Sequence, residues 1–136
     1  MKALLLSFAL LISAAGFAQK ATTTSAVAKA PAAAAPVKFA KLKHNFGNNI
    51  KLNAPATYTF SFTNTGTKAL IIESAVAGCG CTTPVYPKAP IAKGKKGDIK
   101  VTYNSASVGT FSKTVTVKFL NITEPVILTI EGEVKA

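Results

Sequence analysis

The run Thr57-Tyr58-Thr59-Phe60-Ser61-Phe62-Thr63-Asn64-Thr65-Gly66 alternates rings with hydroxyls and then halts. In an extended chain a period of two puts Tyr58, Phe60 and Phe62 on one face and the Thr and Ser side chains on the other. Asn64-Thr65-Gly66 supplies residues that bend a chain at little cost. The same grammar recurs downstream. Leu70, Ile72 and Val76 keep one parity, Ile99, Val101 and Tyr103 alternate with Lys100 and Thr102, and Val115, Val117 and Phe119 alternate with Thr114, Thr116 and Lys118. Val126, Leu128, Ile130 and Val134 alternate with Ile127, Thr129, Glu131 and Glu133. Turn residues separate the runs at 93–97, 107–109 and 121–125. Asn121-Ile122-Thr123 matches a glycosylation acceptor but reads as a hairpin turn.

Upstream the parity is broken. Val37 and Phe39 share one face, while Leu42, His44 and Phe46 share the other. A one-residue slip reverses every side chain, so a bulge or break is expected near Ala40-Lys41. No helical apolar stripe is found from residue 19 onward. The fold class expected for 37–136 is therefore all-β: an immunoglobulin-like antiparallel β-sandwich of about seven strands.

The N-terminus reads as an address. Met1-Lys2 is followed by an apolar run over 3–15 and small residues at Gly16 and Ala18. That order is a signal peptide over 1–18, cleaved after Ala18. The apolar run is shorter than the roughly 20 residues that span a bilayer, so no transmembrane span is expected after cleavage. Residues 19–36 are a low-complexity Ala/Thr/Pro/Lys linker, too poor in large apolar side chains to order itself. The expected location is periplasmic or extracellular.

All 16 basic residues of the 136-residue chain are Lys, set against 5 acidic residues, for a net charge of +11. Losing Lys2 with the signal makes it +10. Without Arg, no bidentate guanidinium fork is available for carboxylate or phosphate. One His and two Cys cannot make a four-thiolate or two-thiolate, two-imidazole zinc site.

The densest chemistry is Gly78-Cys79-Gly80-Cys81-Thr82. An extended chain sets the two Cys Cα atoms about 6.6 Å apart, near the upper limit for a disulfide, and Gly80 can tighten the turn. Four readings stand: a local disulfide, free structural thiols, a redox pair, and soft-metal ligation by Cys79 and Cys81. Lys93, Lys95, Lys96 and Lys100 form a basic loop that suits an anionic partner, or that merely solvates outward strand faces. His44 is expected to be half-buried and hydrogen-bonded near a strand end.

Several short motifs occur in order: His44-Asn45-Phe46-Gly47, Phe60 to Gly66, Gly78 to Thr82, Gly109-Thr110-Phe111 and Ile130-Glu131-Gly132. Over about 38–134 they resemble the bacterial family called domain of unknown function 1573. The resemblance implies an immunoglobulin-like sandwich exported by bacteria, akin to the sandwich modules of cilia and centrosome proteins. Two positions depart from the family pattern: Asn45 stands where Asp is usual, and Lys93-Gly94-Lys95 where Pro-Gly-Glu is usual.

The functional expectation is a non-enzymatic binding or scaffolding module of the bacterial cell envelope, with no catalytic residues and no cofactor. Its partner is expected to be a protein or an anionic envelope component, and not nucleic acid. The alternative is a copper or zinc protein, or a redox protein, acting through Cys79-Gly80-Cys81.

Overall fold

The computed structural model describes residues 36–136. The expected signal peptide, and the linker up to residue 35, lie outside the described residues. Nine strands run in chain order: β1 Val37–Phe39, β2 Lys43–Asn45, β3 Ile50–Lys51, β4 Ala56–Asn64, β5 Ile72–Ala77, β6 Thr82–Val85, β7 Lys96–Tyr103, β8 Gly109–Phe119 and β9 Val126–Lys135. They form two sheets, β1-β4-β7-β6 and β2-β9-β8-β5, with β3 also paired to β9.

The architecture is an immunoglobulin-like sandwich, with two corrections to the expectation. The first region divides into three short strands, which raises the count from seven to nine. The pairing is also mixed, because β2 and β3 run parallel to β9 while the other ladders are antiparallel. Both corrections have one cause. The chain leaves the first sheet after Phe39 and joins the second at Lys43. The parity break near Ala40 is therefore a crossing between sheets: "inward" reverses sense when a strand changes layer.

A third correction concerns Val76. The ladder between β5 and β8 slips between Ile72 and Ser74. Beyond that bulge Ala75 and Ala77 pack against the core, while Val76 is 60 % exposed. One extra residue turned the face, as bulges do.

The alternation of β4 holds. Phe60 and Phe62 are buried with Ile99, Val101, Val115, Val117, Phe119, Leu128 and Ile130 in one core between the sheets. Phe62 meets Phe119 edge-on at 5.4 Å and Phe39 at 5.2 Å. Its cross-strand partner is Gly97. The ring lies over that glycine so closely that any Cβ there would collide with it. Glycine is required at 97 for close approach rather than for a special φ.

Asn64 ends β4 and is completely buried. Its Nδ2 donates to Lys68 O at 2.7 Å and Ile91 O at 2.8 Å, and its Oδ1 accepts from Gly66 N at 2.9 Å. Its backbone N–H donates to Lys95 O, and its carbonyl accepts from Gly94 N. One side chain thus positions the turn after β4 and the loop that enters β7.

Candidate functional site

The loop over 78–81 carries the chain from β5 in the second sheet to β6 in the first. Gly78 N donates to Thr114 O on β8, and Asn104 N, just past β7, donates to Cys81 O. Between these anchors Cys79 and Cys81 are joined by a disulfide, with Cα atoms 5.3 Å apart. The Thr82 hydroxyl lies 3.8 Å from Cys79 Sγ and 3.9 Å from Cys81 Sγ. Cys81 packs against the core, whereas Gly78 and Gly80 are exposed. In this state both sulfurs are committed to each other. Ligation of copper or zinc requires reduction first, because the thiolate is the ligand.

Lys93, Lys95, Lys96 and Lys100 are all exposed at the entry to β7 and along it. Strand register places them in a wider context. Lys38 lies opposite Thr63, which lies opposite Lys96. Ser61 lies opposite Asp98, and Thr59 lies opposite Lys100. Val85 continues the Lys100 row onto β6, and Thr83 lies opposite Thr102. The outer face of the first sheet therefore has a floor of short hydroxyls with lysines standing above it. Lys38 and Lys96, two strand spacings or about 10 Å apart, flank the Thr63 row. A groove of about 340 Å³ lies here, lined by Lys38, Phe39, Ala40, Ser61, Thr63 and Lys96. The one carboxylate of the face, Asp98, accepts a hydrogen bond from Ser61 Oγ at 2.6 Å.

Sequence reading found four of these lysines and missed Lys38 and the hydroxyl floor. The outward parity of Lys38 was legible between Val37 and Phe39. That β1 lies two strands from β7 is a matter of topology.

The acid–base candidates have structural partners. His44 stacks on Tyr58 at 3.6 Å, nearly parallel, and meets Phe46 edge-on at 4.6 Å. Since β2 and β4 belong to different sheets, this stack ties one layer to the other. The expected hydrogen-bonded histidine is instead a ring-stacked one. Burial, and next the positive charge of Lys41, push its pKa below the ordinary 6.5. Glu131 pairs with Lys43 at 2.7 Å and accepts from Asn45 Nδ2 at 3.1 Å. Asn45 Oδ1 in turn accepts from Gly47 N at 2.7 Å. Asn45 thus links Glu131, its partner across the ladder, to the turn at Gly47.

Glu131 and Glu133 line an open cleft on the second sheet with Asn45, Asn48 and Thr110. The lysine-rich face and this acidic cleft thus belong to different sheets. Among the described residues, no helix is long and apolar enough to cross a membrane.

The family model described as "Protein of unknown function (DUF1573)" matches residues 37–134. No curated protein matches the chain. Among solved structures, a protein of unknown function from Porphyromonas gingivalis W83 is similar with a TM-score of 0.60 and 10 % identity, over 71 % of this chain and 46 % of that one. This chain therefore spans less than half of that protein. The ASH / PapD-like domain 7 of human CEP192 is similar with a TM-score of 0.60 and 10 % identity, over 74 % of this chain and 85 % of that domain. The YadV chaperone is similar with a TM-score of 0.55 and 11 % identity, over 74 % of this chain and 53 % of that one. At such identities the likeness is one of fold.

Proposed function

The chain belongs to the DUF1573 family, proteins of unknown function, and on that premise we propose that it is a non-enzymatic binding or scaffolding module of the bacterial envelope. The observation that carries this reading is the outer face of the first sheet. It presents Lys38, Lys96 and Lys100 above Thr59, Ser61 and Thr63, with the loop lysines Lys93 and Lys95 beside them. Such a face recognises by charge and shape and offers no activated nucleophile. The groups from which acid–base chemistry would be built are engaged structurally: His44 in a ring stack, Glu131 in an ion pair, Asp98 with Ser61.

Two similar structures support an interaction role, since one is described as a chaperone and the other as a PapD-like domain. The order of residues 1–18 supports export, and an oxidising compartment suits a loop fastened by Cys79–Cys81. In this reading the disulfide holds the sheet crossing and takes no part in electron transfer.

Cross-linking in the intact envelope, followed by capture of the chain, tests the module reading. The expected result is a discrete partner that is retained by a Cys79→Ser/Cys81→Ser variant. Loss of the partner in that variant, with folding intact, would move the function to the disulfide loop. Intact-mass measurement of the exported chain should rise by about 2 Da on reduction, the mass of two thiol hydrogens.

A further inference from the structure

We infer that the outer face of the first sheet docks onto an anionic lipid surface, with the groove between Lys38 and Lys96 seating a headgroup phosphate. This rests on the binding-module reading and names its partner chemistry. Three observations lead to it. First, the charge is concentrated and in excess of one sign: Lys38, Lys93, Lys95, Lys96 and Lys100 are exposed here against one carboxylate, Asp98, which accepts from Ser61. Second, the face is broad and shallow. Its floor is made of Thr59, Ser61 and Thr63, all short, so extended lysine side chains reach beyond it. A flat lysine array meets many anionic groups at once, as a bilayer surface presents them. It does not enclose one soluble molecule. Third, the groove sets ammonium groups on both sides of the Thr63 hydroxyl, contacts of the kind that a phosphate oxygen accepts. Lysine suits such a role as a mobile point charge that needs no fixed fork.

The opposite sheet offers a built-in comparison. Lys118 and Lys135 are exposed there, and Lys118 lies opposite Ser74, away from the groove. A generic effect of the positive net charge would act through these lysines equally.

The test uses the chain from Gln19 to Ala136, which holds the whole described domain and omits the apolar residues 3–15. Co-sedimentation is measured with vesicles of phosphatidylcholine alone and of phosphatidylcholine mixed with phosphatidylglycerol. The chain should pellet only with the anionic vesicles, and less as salt rises. Lys38→Gln/Lys96→Gln should weaken binding by about 25-fold, at about fivefold per lysine lost near a charged surface. Lys118→Gln/Lys135→Gln should leave binding unchanged. Circular dichroism confirms that each variant is folded, and Lys100→Gln replaces any that is not.

Equal losses in the two double variants would overturn the inference, as would equal pelleting with neutral vesicles. Release by inorganic phosphate beyond that caused by chloride at matched ionic strength would also overturn it, in favour of a soluble phosphate ligand. If vesicles fail to bind while envelope cross-linking yields a single protein, lipid docking falls and the module reading stands.

Discussion

Asn64 shows how much one side chain can organise. It is buried and satisfies two carbonyls and one N–H in the turn after β4 and the loop before β7. Asn64→Ala leaves those partners without it, at a cost of about 1–3 kcal/mol for each buried group left unpaired. We expect a fall of about 3 kcal/mol in unfolding free energy, read from urea melts at unchanged m-value. His44 makes stability depend on pH. Its folded pKa is depressed by burial and then by Lys41, so the unfolded chain takes up a proton first as pH falls. The contribution is complete above the unfolded value of 6.5 and is lost as pH drops through the lower folded value. Thermal melts should be level from about pH 8 to 7 and decline toward pH 5, and His44→Phe should flatten that decline. Asn45→Asp sets a carboxylate against Glu131 and should cost about 1 kcal/mol at neutral pH. The sequence shows the departure at 45; only the fold sets that residue opposite Glu131.

Among the elements, the crossing from β5 to β6 and the edge it creates carry the most information. Cys79–Cys81 closes a very short loop, so it constrains the unfolded chain little. Removing both thiols with Cys79→Ser/Cys81→Ser should cost about 1.5 kcal/mol by chain-entropy reasoning and leave the domain folded. A loss large enough to unfold it would show that the disulfide, rather than the anchors on Thr114 and Asn104, holds the crossing. β6 is an edge strand of the first sheet and contains Pro84. Its register on β7, with Asn104 N bonded to Cys81 O, points the backbone of residue 84 toward the open edge. There proline withholds a donor that another strand would use. Pro84→Val should restore that donor and raise self-association in light scattering, with monomer stability little changed. The alternation of β4, β7, β8 and β9 was readable because each stays in one sheet with regular pairing. The first region and β5 were not, because a change of sheet and a bulge each reverse parity without leaving a mark in composition.

At the scale of the whole molecule, a single aromatic and β-branched core joins two sheets whose outer surfaces differ in charge. The first sheet gathers lysines from β1, the loop before β7, and β7 itself. The second holds Glu131 and Glu133 in an open cleft. Lysines brought together in this way should make envelope association more sensitive to salt than the same net charge spread evenly, and salt titration of Lys38→Gln/Lys96→Gln against the parent chain would measure the difference. By itself the sequence determined the all-β class, the inward rings of β4, the family, and the address-like order of residues 1–18. These are local patterns, carried by neighbours along the chain. Tertiary structure decided the parallel pairing of β2 and β3, the stacking of His44 on Tyr58, the burial of Asn64, and the meeting of Lys38 with Lys96 across Thr63. Each depends on which strands lie side by side. That order is set by packing two layers around one core, a long-range outcome that periodicity along a single strand does not encode.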